Sequence, residues 1–283
     1  MGEVTRSIHL YHRARKDVLP SKKFNSLTDI ELNMKIKSVA LCSTLLVAAL
    51  PVCSFANDAF TGFQAGVALG YDDVDMDWET TALYAPQIPT APFPIFSDPK
   101  ESLSDSTFSY GVFGSYNWSV SSNWIVGAEL AIQDAGASDT LDYIPGGPGA
   151  TGTTTDVDVN MSYLLGVKGG YLLNESTMLY STLSLTQTEV ETSTTCPSDG
   201  FICNPGSPAQ TFSDDDDISG YALALGVEKS LGSNLSVRAE YRYADLGTAS
   251  LSPTQVRDDE AVGVDADIDV TSQSLQLGAA YKF

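Results

Sequence analysis

The 283-residue chain carries 15 Lys+Arg, 36 Asp+Glu and two His. Eight of the basic residues, four of the acids and both histidines (His9, His12) precede Asn57, which leaves 7 basic against 32 acidic residues, net −25, in residues 57–283. That field repels phosphate backbones and excludes nucleic-acid binding, and the lack of histidine removes most hydrolytic mechanisms and most zinc sites.

Residues 1–33 are basic and polar, without an apolar period. From Met34 the chain reads MKIKSVALCSTLLVAALPVCSFA: a basic start (Lys35, Lys37), an apolar run from Val39 to Val52, and small residues at Ser54 and Ala56. This is the layout of a secretory signal peptide over 34–56, cleaved between Ala56 and Asn57. The run is too short for a spanning helix, which needs about 20 residues. Cleavage before Cys53, as in a lipoprotein, is the competing reading, and the bulk of Val52 opposes it. A signal normally opens the translated chain, so Met34 is the expected start and 1–33 an upstream extension; an extended signal is the alternative.

After Ala56, segments of about ten residues alternate apolar and polar positions, the signature of a transmembrane β-barrel. In chain order the apolar faces are Phe63–Tyr71, Phe108–Trp118, Trp124–Ile132, Tyr163–Tyr171, Leu179–Leu185, Tyr221–Val227, Leu235–Tyr243 and Leu275–Phe283, which makes eight strands. Short turns (Ser119–Asn123, Leu173–Ser176, Leu231–Asn234) alternate with long acidic loops (72–106, 134–157, 188–217, 245–270). Four long loops and three short turns put both termini in the periplasm. A soluble β-sandwich or lipocalin-like barrel also alternates, with its apolar face inward. Aromatic residues near the strand ends on the apolar face, as in a membrane girdle, favour the membrane barrel.

The opening TGFQAGVALGY, the segment LSVRAEYRYADLG from Leu235 to Gly247 and the ending TSQSLQLGAAYKF resemble the porin-family outer-membrane surface antigens, which have an opacity-protein or OmpA-like eight-stranded barrel. The resemblance covers residues 57–283. It implies an outer-membrane location among lipid and lipopolysaccharide. It also implies insertion by the barrel assembly machinery through a C-terminal strand in which Tyr281 and Phe283 carry the signal. With Phe283 ending the chain, no peptidoglycan-binding domain is expected.

An eight-stranded interior is just wide enough to be filled by side chains. The inward set includes Glu129, Lys168, Glu228, Arg238, Glu240, Arg242 and Lys282, four positive and three negative charges, which must pair across the barrel because isolated buried charges are costly. A rigid polar plug is one reading of this set; a narrow ion path opened by exchange of pairs is the other. The loops hold Asp72, Asp73, Asp75, Asp77 and Glu79, the run Asp214–Asp217, and Asp258, Asp259, Glu260, Asp265, Asp267 and Asp269, a face for divalent cations or host surfaces, although no twelve-residue calcium loop is present. Cys196 and Cys203 in CPSDGFIC are expected to form a disulfide, with two free thiols as the alternative. No catalytic motif or cofactor site is found. Haem binding, attributed to some members of the resembling family, would rest on Tyr or Met alone. The expectation is a non-enzymatic surface antigen whose acidic loops contact envelope or host, with a low-conductance channel as its rival.

Overall fold

The computed structural model describes residues 59–84, 94–147, 152–197, 208–232, 234–252, 254–257 and 260–283. The signal segment, its Ala56–Asn57 cleavage point and Cys203 lie outside these residues. Among the described residues there are nine strands: β1 (Gly62–Tyr84), β2 (Lys100–Ser119), β3 (Trp124–Leu141), β4 (Thr154–Asn174), β5 (Thr177–Cys196), β6 (Gln210–Ser230), β7 (Leu235–Leu251), β8 (Thr254–Arg257) and β9 (Glu260–Lys282). All pairings are antiparallel. Each strand from β1 to β6 pairs with the next, β7 pairs with β9, and β1 pairs with β9 from Gln64↔Lys282 to Tyr84↔Gly263, which closes an eight-stranded ring. The four-residue β8 is a short extra ribbon on the end of β9.

The eight expected strands are therefore present, but they are 17 to 23 residues long rather than about ten. Much of what the sequence assigned to loops is strand. β1 shows why. Its even positions face inward through buried Gln64, Ala68, Asp72, Val74, Met76 and Trp78, while its odd positions from Phe63 to Glu79 are exposed apart from the half-buried Ala65. The facing holds as far as the bulge after Thr80, yet the chemistry changes before it. Up to Tyr71 the outward residues are Phe63, Val67, Leu69 and Tyr71; from Asp73 they are Asp73, Asp75, Asp77 and Glu79. β9 repeats the exchange, with Leu275 and Leu277 outward in one half and Val264, Ala266, Ile268 and Val270 inward in the other.

The wall thus has two storeys. In the first, between the short turns and about Tyr71, apolar side chains face out over roughly 30 Å of strand, which at the usual tilt matches the ~25 Å apolar band of a membrane barrel. Aromatic pairs mark its turn-side rim: Phe63 with Phe283 at 5.5 Å between centroids, Tyr281 with Phe283 at 5.0 Å, and Trp124 with Tyr171 at 5.1 Å. The terminal Phe283 is also tied in by its backbone N–H to the Phe63 carbonyl at 3.0 Å. In the second storey Trp78, Met76, Val157, Val190, Phe212, Ile218 and Leu251 form a dry core inside a water-facing wall.

The second storey is not a closed ring. The β2/β3 ladder stops at Tyr110↔Asp134 and the β6/β7 ladder at Tyr221↔Asp245, although all four strands continue. Beyond those points β2, β1, β9 and β7 form one leaf and β3, β4, β5 and β6 the other, face to face as a small β-sandwich. Gly136 (φ 56°) and Gly247 (φ 104°) sit in bulges at the feet of the two seams, in a backbone region that side chains disfavour. The sandwich set aside on sequence grounds is therefore present, stacked on the membrane barrel.

Trp78→Ala is expected to destabilise the second storey by about 3–5 kcal/mol, the usual range for emptying an aromatic core position, while the first storey still forms. Urea unfolding with heat-modifiable gel mobility separates the two effects.

Candidate functional site

Strands β3 to β7 each send residues of one parity into the first-storey lumen, and register sets the height of each charge. Glu228 lies opposite Arg238, and Glu240 lies opposite Gly226 and Gln276. Lys168 Nζ is 3.0 Å from Glu228 Oε2 and 3.8 Å from Glu129 Oε2, and Arg238 Nη1 is 2.9 Å from the same Glu129 oxygen. Ser236 Oγ donates to Glu228 Oε1 at 2.8 Å. A second chain begins at Tyr180, whose hydroxyl donates to Glu240 Oε2 at 2.8 Å; Arg242 Nη2 meets the other Glu240 oxygen at 2.6 Å. Arg242 Nη1 then donates to Gln133 Oε1 at 2.8 Å, and Gln133 Nε2 donates to Asp72 Oδ1 at 2.9 Å.

Aromatic rings join the two chains to the wall. Lys168 Nζ lies 4.2 Å from the centre of the Tyr180 ring, and the Arg238 guanidinium lies 3.4 Å from that of Phe113. The Tyr180 ring packs directly on Gly226, where an added Cβ would stand 2.5 Å from Cζ. A glycine is needed there because the ring occupies the space of a side chain.

Six of the seven residues assigned to the lumen come together in this buried group. Lys282 does not. It is half-buried at the turn-side rim, where its backbone N–H donates to Asn234 O at 2.7 Å and its carbonyl accepts from Asn234 Nδ2 at 2.7 Å. The last strand simply ends there. Asp72 is the opposite correction: read as the first loop acid, it is 2% exposed and part of the network. Its even position on β1, in line with Gln64 and Ala68, was the available signal. Gln133, Gln276, Tyr180 and Ser236 are further members, recognisable beforehand only as polar-face residues.

The charge layer is sealed on both sides. Toward the turns, Phe60, Ile125, Leu172, Met178 and Tyr180 form a second apolar cluster, with the Phe60 carbonyl held by Asn117 Nδ2 at 3.1 Å. Toward the far end stands the sandwich core. A small recess near Gly70, Gly111, Gln133, Arg242 and Gln276 has room for about one water.

The second storey's outer surface is the other candidate. Across β7, β9, β1 and β2, Thr248, Asp269, Asp77 and Ser102 form one row and Ser250, Asp267, Glu79 and Lys100 the next. Hydroxyls at the row ends donate inward: Ser102 Oγ to Asp77 at 2.6 Å and Ser250 Oγ to Asp267 at 2.8 Å. Lys100 pairs with Glu79 at 2.9 Å. The opposite leaf places Asp158, Glu191 and Asp215 in one row. Burial, with the charge of Asp156 beside it, holds the Asp158 carboxyl above its ordinary value. The run Asp214–Asp217 is likewise strand, on β6, and not loop. Among the described residues no group of three or more His, Cys, Asp or Glu is placed to hold a metal ion. Cys196, at the end of β5, is disulfide-bonded; its expected partner Cys203 lies outside the described residues.

A closed antiparallel ring with an outward apolar belt, aromatic rims and a polar lumen specifies a membrane barrel, and the family comparison agrees over residues 42–283, which match the outer membrane protein β-barrel domain. The chain belongs to that family. It is 26% identical over 178 residues to the 31 kDa outer-membrane immunogenic protein of Brucella melitensis, and equally to that of Brucella suis. Each match covers 61% of this chain and 65% of the relative, so the chain spans just under two thirds of the relatives' length. Among solved barrels, OprG of Pseudomonas aeruginosa aligns over 80% of this chain and 98% of its own at 15% identity and TM-score 0.45. The Escherichia coli outer membrane protease OmpT aligns over 78% and 97% at 10% identity and TM-score 0.48. The family places the protein in the Gram-negative outer membrane.

Glu129→Ala leaves Arg238 and Lys168 short of a counter-charge and should destabilise this outer-membrane barrel by about 3–5 kcal/mol, measured by urea unfolding in lipid vesicles. The exposed Lys100→Ala change should leave the midpoint where it is. A raised carboxyl value penalises the charged form in the folded state, so the contribution of Asp158 is unfavourable at neutral pH and vanishes on acidification. Asp158→Asn should raise the unfolding midpoint at pH 7 and have no effect at pH 3.

Proposed function

We propose that the protein is a closed, non-conducting surface barrel with both termini and the three short turns in the periplasm, presenting an acidic β-sandwich outside the cell. The observation that carries this reading is the threefold closure of the interior: an apolar floor around Phe60, a charge layer in which Lys168, Arg238 and Arg242 each meet a carboxylate, and the sandwich core above it. An ion would have to break buried charge pairs and also cross two apolar layers, each unfavourable by itself. The working surface is then the exterior of the second storey. Its carboxylate rows suit divalent cations, and through them lipopolysaccharide phosphates, or the cationic parts of a host or envelope surface. The name of the Brucella relatives as immunogenic proteins supports a surface-antigen role. Lipid in both leaflets and the barrel assembly machinery, which would read Tyr281 and Phe283, are the remaining partners of this account.

Catalysis has no support in the residues. From residue 57 onward there is no histidine, and the buried Glu129, Glu228 and Glu240 are engaged by arginine, lysine or hydroxyl groups while Asp72 accepts from Gln133. The rival reading, a low-conductance channel, requires Lys168 and Arg238 to exchange partners while floor and roof open.

Planar-bilayer recording of refolded residues 57–283, with heat-modifiable mobility confirming the barrel, is expected to give no reproducible conductance steps. Steps that change with Arg238→Ala would replace this reading with the channel.

A further inference from the structure

The buried charges do not sum to zero. Among the described residues the buried charged side chains are Asp72, Glu129, Glu228 and Glu240 against Lys168, Arg238 and Arg242, four negative charges facing three positive ones. Each glutamate meets at least one of the three cations directly, which leaves the deficit at Asp72. Its Oδ1 accepts from Gln133 Nε2 at 2.9 Å, and Gln133 Oε1 accepts from Arg242, so a neutral amide stands between the carboxylate and that guanidinium. Asp72 Oδ2 has no hydrogen bond among the described residues, although the side chain is 2% exposed. An uncompensated charge in such a place is costly.

The free oxygen borders a space of matching size. Gly70 precedes Asp72 by two residues on the same inward face, and a Cβ built on it would stand 2.5 Å from Ser109 Oγ and 3.2 Å from Asp72 Oδ2. The two oxygens therefore converge on the space in front of Gly70. The recess that Gly70 lines with Ser109, Gln133, Arg242 and Gln276 has room for about one water. We infer that this recess is a binding site for one sodium ion, held by Asp72 Oδ2 and Ser109 Oγ, and that the ion completes the charge of the layer. Carboxylate and hydroxyl oxygens are the donors that hard cations take. One carboxylate and a deficit of one charge select a monovalent ion over a divalent one. A hydroxyl turned toward Oδ2, or a water in the recess, would give that oxygen a hydrogen bond without supplying the missing charge. The Arg242 guanidinium on the recess wall is committed to Glu240 and Gln133, so its charge is already counted. The site depends on the charge balance of the layer and not on whether the barrel conducts.

The test is urea unfolding of the full mature protein in phosphatidylcholine vesicles, in sodium chloride or in N-methylglucamine chloride of the same ionic strength, so that screening of the acidic exterior is equal in both. Once sodium exceeds its dissociation constant, each tenfold rise should shift the unfolding equilibrium about tenfold toward the folded state, the linkage of one ion. D72N keeps the shape of the side chain and removes the surplus charge, so it should fold and be indifferent to sodium. D77N, at an exposed position of the same strand, should keep the parent's dependence. S109A removes one ligand oxygen and no charge, and should need more sodium for the same shift. No difference between the two salts in the parent, or equal sodium dependence in D72N and the parent, would overturn the inference. So would a carboxylic-acid C=O infrared band in the sodium-saturated parent that disappears in S109A or D72N, because a proton would then carry the missing charge. If D72N does not fold, S109A decides: sodium dependence identical to the parent's would overturn the inference.

Discussion

A β-strand cannot exchange its faces without a bulge: once residue 64 points inward, so do 66, 68 and every second position as far as the bulge after Thr80. A strand that leaves a membrane and continues into water must therefore invert its chemistry while keeping its geometry. The wall of this protein is an instance of that constraint. Lipid on the outside of the first storey demands apolar outward residues and leaves polar groups nowhere to go but the lumen. Water outside the second storey reverses the demand, so acids and hydroxyls move outward and the apolar residues fill the interior. The exchange occurs within one or two residues, at Tyr71–Asp73 on β1 and across Thr271–Gln273 on β9.

The two interiors solve the same packing problem differently. In the first storey, Glu129, Lys168, Glu228, Arg238, Glu240 and Arg242 pair with one another, and Tyr180, Ser236 and Gln133 add hydrogen bonds, Gln133 extending the chain to one oxygen of Asp72. Such a network stabilises only when complete, because each member removed strands a buried charge. In the second storey apolar packing predominates, with buried threonines such as Thr155 and Thr194 bonded to each other, and continuous ring closure is given up at two seams in favour of face-to-face leaves. Directional closure thus dominates where the chain is solvated by lipid, and non-directional closure where it meets water.

The strand count, the short turns, the outward apolar faces and most of the charge layer were legible from period-2 alternation alone. The length of the strands was not, for a physical reason. An apolar outward face marks a strand in the sequence, and this face ends at the membrane boundary. DDVDMDWE, from Asp72 to Glu79, keeps the same period with Val74, Met76 and Trp78 in phase with Gln64 and Ala68, but its acids resemble a loop when read by composition. The Ser and Thr residues that looked like loop material are cross-strand donors to those acids. Asp72 was misread for the same reason, and Lys282 was placed too deep because parity gives a direction but no height. The seams lie beyond sequence reading altogether, since nothing in β6 or β7 alone states that their ladder stops at Tyr221↔Asp245.

On β1 the wall passes from lipid to water between Tyr71 and Asp73. Single spin labels at outward positions 67, 69, 71, 73, 75 and 77 of β1, in the protein folded in a bilayer, would locate it by relative accessibility to oxygen and to a water-soluble nickel chelate. The inversion predicts oxygen-dominated labels through Tyr71 and chelate-dominated labels from Asp73 or Asp75 onward, all mobile enough to be outside the wall. Oxygen-dominated labels continuing to Asp77, or immobilised labels at Asp73 and Asp75, would contradict it.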